Sequence, residues 1–153
     1  MTPRLNAFAA APAIMQGLVE LSGKVEKSGL EHSLLELVKI RASQINGCAY
    51  CIHMHTRDAR AAGETEERIY LLDAWRESPL YTTRERAALA WTEALTRVAD
   101  TRAPDEAYDA LRAAFSNEEQ VKLTMAVTVI NAWNRFAVGF RSIHPHGKAR
   151  DAA

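Results

Sequence analysis

The stretch Glu36 to His55, E-L-V-K-I-R-A-S-Q-I-N-G-C-A-Y-C-I-H-M-H, decides how this chain is organised. It contains both cysteines of the protein, Cys48 and Cys51, in a single C-x-x-C pattern. The pair Asn46-Gly47 is a turn signal and directly precedes them. The spacing therefore predicts one helix that ends before Cys48 and a second helix that starts there and runs to about Ala62.

Cys48, Cys51 and His55 fall at steps of three and four, so they share one face of the second helix. The free amides and the dipole at a helix N-terminus stabilise a thiolate. His55 lies one turn beyond Cys51 and can accept its proton, whereas Cys48 has no such base. We therefore predict Cys51 as the nucleophile and Cys48 as the resolving thiol, with His53 directed to solvent or to a neighbour.

This arrangement predicts redox chemistry. The Cys51 thiolate would attack a peroxide oxygen or a disulfide sulfur, and Cys48 would then close an internal disulfide that an external reductant resets. Two simpler interpretations compete with it: the cysteines as small buried hydrophobic residues, or a zinc site completed by His53 and His55. The zinc site is disfavoured because only one cysteine pair exists and the two histidines point differently from one helix.

Glu36 has an alternative structural interpretation. Ser33 and Glu36 have the spacing of a capping box, in which the carboxylate bonds back to the start of its own helix. Spacing alone favours this capping role for Glu36.

The rest of the chain indicates an all-α protein, a compact helical bundle of about seven helices in a single domain over residues 1–153. After an extended arm over residues 1–11, we predict helices from Pro12 to Ser28, Ser33 to Asn46, Cys48 to Ala62, Thr65 to Ser78, Thr82 to Val98, Pro104 to Phe115 and Val121 to about Phe140. Thr82 with Glu85 and Ser116 with Glu119 are further capping boxes.

Composition narrows the class of protein. The 19 basic and 19 acidic residues balance, which argues against a nucleic-acid or anionic-membrane partner. No stretch reaches the roughly 20 apolar residues of a membrane span. Pro12 interrupts the apolar opening, so we expect no signal peptide. Two cysteines are too few for a disulfide scaffold, and we expect a cytoplasmic protein.

The last predicted helix is apolar on more than one side, so we expect it in a core or in a subunit interface. Trp133, Asn134 and Arg135 are assigned to an interface between copies of the chain. His144 and His146 are expected to be solvated, in a frayed polar tail.

At this point a family resemblance is plain. Glu36, eleven intervening residues and then C-x-x-C-x-x-x-H, ending at His55, resembles the signature of the AhpD-like alkylhydroperoxidases of the carboxymuconolactone decarboxylase superfamily. The flanking segments R-A-S-Q-I-N-G-C-A-Y-C-I from Arg41, T-R-E-R-A-A-L-A-W from Thr83 and I-N-A-W-N-R-F from Ile130 agree with it. The resemblance covers residues 18–140.

The resemblance implies an all-helical fold that assembles as a homo-oligomer, a trimer or hexamer, with no cofactor or metal. It implies a thiol-dependent peroxidase or disulfide oxidoreductase in antioxidant defence, with Cys51 peroxidatic, Cys48 resolving, and Glu36 and His55 as a proton relay. It also implies a small hydroperoxide substrate and an external dithiol reductant of the lipoyl type. In one departure, Tyr50 stands where well-studied members carry a histidine, and a phenol with a pKa near ~10 is a poor base at neutral pH.

Two further functions remain as alternatives. One is a decarboxylase or lactone enzyme of the same superfamily, which needs no thiol pair. The other is a non-enzymatic redox-sensing protein whose oligomer changes with its disulfide state.

Overall fold

The computed structural model describes residues 2–145, and all regular secondary structure in that part of the chain is helical. Its helices are α1 (Ala7–Ala10), α2 (Pro12–Glu26), α3 (His32–Ile45), α4 (Ala49–Ala61), α5 (Glu66–Tyr70), a 3₁₀ turn (Leu72–Ala74), α6 (Thr83–Thr96), α7 (Val98–Thr101), α8 (Asp105–Ala114) and α9 (Asn117–Phe140). The all-α class is confirmed. Six of the seven predicted helices correspond to α2–α4, α6, α8 and α9. The helix predicted from Thr65 to Ser78 is shorter than expected, because it consists of the five-residue α5 and the separate 3₁₀ turn. Helices α1 and α7 are additional single turns of four residues each.

The N-terminal arm is extended only as far as Asn6. The Asn6 side chain accepts a hydrogen bond from the Ala9 amide at 3.1 Å and thereby starts the helical turn α1, which the sequence analysis missed. The Arg4 amide donates to the Phe140 carbonyl at 3.0 Å, and its guanidinium donates to the Gly139 carbonyl at 3.1 Å. The arm is therefore fixed to the C-terminal end of α9.

Two of the three predicted capping boxes are confirmed, at Thr82 with Glu85 and at Ser116 with Glu119. The third prediction is wrong, because α3 begins one residue before Ser33, its N-cap is Glu31, and no side chain caps it. Glu36 instead turns its carboxylate into the protein, where its residue is only 2% exposed.

Helix α3 is the centre of the fold. Ten consecutive residues, 34–43, are buried, because α4, α6 and α9 pack around this helix. The sequence analysis predicted only an apolar stripe, yet Glu36, Lys39 and Arg41 are buried as well. Polar groups in such a position need partners. Arg41 donates to the Glu93 carboxylate of α6 at 2.8 Å, and the partners of Glu36 and Lys39 build the site described below.

Helix α9 packs on α2, α3 and α6 through a face that includes Leu123, Val127 and Ile130. On its outer side Val121 is 68% exposed and Val138 is 49% exposed in the single chain. Among residues 2–145, no helix is both long enough and apolar enough to cross a membrane.

Candidate redox site

The two thiols lie at the N-terminus of α4, as predicted. Cys48 is the N-cap residue, and its sulfur accepts a hydrogen bond from the Cys51 amide at 3.3 Å. The sulfurs are both free thiols and lie 2.6 Å apart. Gly47 at φ 64° makes the turn that brings Cys48 there, and the Cys48 amide donates to the Ser43 carbonyl at 2.9 Å.

The two thiols differ strongly in acidity. The hydrogen bond from the Cys51 thiol lowers the pKa of Cys48 to about 7 in spite of burial, with further help from backbone amides and Asn134. The pKa of Cys51 is raised, because its proton is held by the Cys48 sulfur, because it is buried, and because a Cys48 thiolate repels a second negative charge. One proton therefore leaves the pair easily, and the pair retains the other.

The acid–base pair beside the thiols consists of Glu36 and His55. His55 Nδ1 lies 2.9 Å from Glu36 Oε2, and both residues are buried, at 8% and 2% exposure. Burial opposes ionisation of Glu36, but the hydrogen bonds and charges of His55 and Lys39 hold its pKa below the usual 4.5. The ionised carboxylate accepts from Nδ1–H, which leaves Nε2 as the nitrogen able to take up a proton.

Lys39 is a site residue that the sequence analysis missed. Its ammonium donates to Glu36 Oε1 at 2.8 Å and also to the Glu26 carboxylate on α2. Glu26 Oε2 in turn lies 3.8 Å from His32 Nδ1. The available signal was spacing, since Lys39 follows Glu36 by one helical turn, but the sequence does not place Glu26 beside it.

Asn134 of α9 is a second missed residue. Its amide nitrogen donates to Ser43 Oγ at 3.0 Å, and its oxygen accepts from Asn46 at 2.8 Å. Asn134 also lowers the pKa of each thiol. The sequence signal was a polar residue within an apolar helix, which the sequence analysis assigned to an interface between copies of the chain.

That interpretation, an interface formed by Trp133, Asn134 and Arg135, is wrong for Asn134. Asn134 is only 1% exposed within the single chain. The Trp133 indole donates to Ser22 Oγ at 2.8 Å and stacks on Phe8 of the arm. Arg135 alone is exposed, and it bonds back to Asn131. These side chains connect parts of one chain.

A cavity of about 610 Å³ opens beside Cys51 and His55. The N-terminal arm, α2, α4 and α9 enclose it, and most of the lining side chains are apolar. They include Leu5, Phe8, Met15, Val19, Met54, Val129, Trp133, Phe136 and Phe140. Cys51 lines this cavity, whereas Cys48 is not among the lining residues.

The remaining predicted residues are also placed. Tyr50 lines the cavity and packs on the cluster that holds the cysteines. The His53 and His144 rings are stacked, with centroids 4.7 Å apart, so the expectation that His144 is simply solvated is corrected. His146 and the rest of the tail lie outside the described residues.

Side chains of the types that can bind a metal ion also cluster here. In the described part of the chain, Glu36, His55 and Asp58 place one potential ligand atom each within 4.8 Å of one another, and so do Glu26, His32 and Glu36. Neither group includes a cysteine. The Lys39 ammonium already bonds the carboxylates of Glu36 and Glu26, so each group has at least one carboxylate that is paired with a cation of the protein itself.

Comparison with known proteins agrees with this fold. Residues 12–94 match the model of the carboxymuconolactone decarboxylase family. The uncharacterised protein YdfG of Bacillus subtilis is 41% identical over 138 residues, which cover 90% of this chain and 94% of that protein.

Solved structures extend the comparison over nearly the whole chain. A structure from Agrobacterium tumefaciens, described as a protein of unknown function with a suggested role as antioxidant defence protein AhpD, is 50% identical. Its TM-score is 0.93, and the match covers 95% of this chain and all of that one. The debrominase Bmp8 shares the fold at a TM-score of 0.81 and 19% identity, over 90% of this chain and 74% of its own. The protein described here therefore belongs to the carboxymuconolactone decarboxylase family and has the AhpD-like fold.

Proposed function

We propose that the protein is a thiol-dependent peroxidase of antioxidant defence, which reduces hydroperoxides through Cys48 and Cys51. One observation carries the proposal: Cys51 faces an apolar cavity beside His55, while Cys48 lies behind it as its partner. A substrate in the cavity would meet Cys51 first. This supports Cys51 as the peroxidatic thiol and Cys48 as the resolving thiol.

The low pKa of Cys48 places the first negative charge mainly on that sulfur. His55 Nε2 takes one proton from the pair, and transfer of the remaining proton from Cys51 to Cys48 along the S–H···S contact puts the charge on Cys51. When Cys51 carries the charge it attacks a peroxide oxygen, and the O–O bond breaks. The product is a Cys51 sulfenic acid and an alkoxide, which regains a proton from the His55 imidazolium.

The second step joins the two cysteines in a disulfide. Cys48 attacks the sulfenic sulfur, a disulfide forms, and the hydroxyl group leaves as water with the Cys48 proton. The two thiols thus supply the two electrons that reduce the hydroperoxide to an alcohol and water. An external dithiol, which we propose to be of the lipoyl type, returns both cysteines to thiols by exchange.

The proposed setting is cytoplasmic, because a reducing compartment keeps such a thiol pair ready for turnover. We also propose a homo-oligomer, a trimer or hexamer. The apolar side chains exposed on the outer face of α9, Val121 and Val138, support an interface there.

The test is the intact mass after one equivalent of an organic hydroperoxide, with the remaining thiols alkylated afterwards. We expect the wild type to lose both alkylation sites within seconds and the Cys51→Ser variant to keep its one site. The Cys48→Ser variant should stop at a Cys51 sulfenic acid, which a dimedone probe captures. Two thiols that stay alkylatable in the wild type would refute the proposal.

The same preparations test the alternatives. Turnover of a lactone acid that survives loss of both cysteines would indicate the decarboxylase or lactone branch. Peroxide oxidation without turnover by any dithiol, together with a change of oligomer size on a sizing column, would indicate a redox sensor.

A further inference from the structure

Lys39 is buried to an extent that is unusual for a lysine. Its residue is 7% exposed, although lysine is seldom buried unless it is paired. It has two carboxylate partners on two different helices, Glu36 on α3 and Glu26 on α2. A buried cation of this kind costs free energy to desolvate, so its position calls for an explanation in terms of the site.

We propose that Lys39 is a positioning residue, which holds Glu36 in the orientation and charge state that lets His55 take the proton of Cys51. This inference rests on the proposed function, since it concerns the same proton transfer. Lys39 itself does not touch the reacting sulfur.

The orientation follows from how the two oxygens of Glu36 are used. Oε1 accepts from the Lys39 ammonium at 2.8 Å, and Oε2 accepts from His55 Nδ1 at 2.9 Å. The two bonds fix the plane of the carboxylate. Because Nδ1 is engaged, the tautomer of His55 is set, and Nε2 is left to receive the thiol proton.

The charge state follows from the sum over the cluster. Glu26 and Glu36 contribute two negative charges and Lys39 one positive charge, so the three groups together carry a charge of about −1. Proton transfer from the Cys51 thiol to Nε2 yields a thiolate and an imidazolium. The imidazolium then faces a net negative cluster, which stabilises it.

Two other titratable groups face this cluster. Asp58 of α4 places a carboxylate oxygen within 4.8 Å of the ligand atoms of Glu36 and His55, and His32 lies close to Glu26. Asp58 and His32 are exposed, so solvent screens them more than it screens Lys39. His55 lowers the pKa of Glu36 most, and Lys39 is the buried lysine that adds to this effect and helps to keep Glu36 ionised.

Replacing Lys39 with Met removes that charge while keeping the length of the side chain. Burial then acts on Glu36 with less opposition, because Lys39 is one of the groups that lower its pKa. The pKa of Glu36 therefore rises, and over a wider pH range the carboxyl group is protonated and no longer offers His55 a negative charge. The imidazolium is then less stabilised, which moves formation of the Cys51 thiolate to higher pH.

The experiment measures the rate of Cys51 alkylation by iodoacetamide against pH. The Cys48→Ser background is used so that a single thiol reports, and peptide mapping confirms the site. We expect Lys39→Met to shift the rise of the rate upward by about one pH unit. Below the plateau, this shift is an approximately tenfold loss. Lys39→Arg, which keeps the charge, should recover most of the shift, and the exposed Lys24→Met should show none.

Three outcomes would overturn the inference. They are an unshifted profile in Lys39→Met, a uniform loss of rate at all pH values, and an equal shift in Lys24→Met. Circular dichroism establishes that each variant is folded. If Lys39→Met does not fold, Lys39→Arg keeps the test valid, because the proposal then requires its pH profile to match that of the Cys48→Ser background. Alkylation needs no peroxide, so a failed peroxidase assay would refute the proposed function without deciding the role of Lys39.

Discussion

Asn134 connects three parts of the protein to the thiol pair. It bonds Ser43 on α3 and Asn46 in the turn before α4, and it lowers the pKa of both Cys48 and Cys51. A neutral amide of this kind stabilises negative charge without adding a charge of its own. The acidity of the pair therefore depends on a residue 86 positions after Cys48 in the chain.

Replacement of Asn134 with Ala is expected to change both acidity and stability. The pKa of Cys48 should rise from about 7, because one hydrogen bond to its sulfur is lost. Ser43 and Asn46 would also lose a partner, at a cost of about 2 kcal/mol in the free energy of unfolding. Ultraviolet titration of the thiolate and urea unfolding measure the two effects. The exposed Asn117→Ala on the same helix is the control, and an unchanged thiol titration in Asn134→Ala would contradict the prediction.

Single residues also mark the limit of sequence analysis here. Ser33 and Glu36 have capping spacing, and only packing reveals that α3 starts too early for Ser33 to cap it. The roles of Lys39 and Asn134 depend on contacts with α2 and with the turn before α4, which lie far away in sequence. Cys48, Cys51 and His55, by contrast, share one helix, so local periodicity was enough to group them.

At the scale of the elements, the turn between α3 and α4 sets the position of the redox pair. Gly47 adopts φ 64°, a left-handed conformation that other residues reach only with strain. This turn lets the Cys48 amide bond the Ser43 carbonyl and places the Cys48 sulfur at the helix N-cap. Turn signals and helical periodicity are local, which is why the start of α4 was predicted to within one residue.

Gly47→Ala and Gly17→Ala should have opposite effects on stability. Added Cβ atoms meet no neighbour within 4 Å at either position, so backbone conformation alone decides. Gly47→Ala is expected to lower the free energy of unfolding by about 1 kcal/mol, through left-handed strain. Gly17 lies inside α2, where Ala should raise the free energy of unfolding by about 0.8 kcal/mol. Urea midpoints test the pair, and a stabilising Gly47→Ala would contradict the assigned conformation.

At the scale of the whole molecule, the cavity is assembled from distant segments. Its walls come from the arm, α2, α4 and α9, and the arm is held by Arg4 at the end of α9. Lys39 is the lining cation, and it is already paired with two carboxylates, so the cavity suits an uncharged apolar molecule. No local sequence pattern could indicate this cavity, because its walls come from segments that lie far apart in the sequence.

Filling the cavity should discriminate between peroxides by size. Ala137 lines it and packs on the cluster that contains both cysteines, so Ala137→Phe adds bulk close to the thiols. We expect kcat/KM for cumene hydroperoxide to fall by about tenfold, the loss of roughly 1.4 kcal/mol of binding, while hydrogen peroxide is nearly unaffected. The control is Ala113→Phe, the same change at an exposed position of α8 outside the lining. An equal loss for both peroxides would show that the cavity does not hold the substrate.

The bond between Arg4 and the end of α9 has a consequence for biosynthesis. The ribosome makes the arm long before its anchoring carbonyls at Gly139 and Phe140. Cys48 and Cys51 emerge long before α9, which carries the amide of Asn134 and much of the wall beside them. During that interval the nascent thiols are open to whatever oxidants and reductants surround the ribosome. The redox state of the newly made thiol pair is therefore set by the surroundings. The cavity selects which molecules reach the pair only after α9 has packed against the rest of the chain.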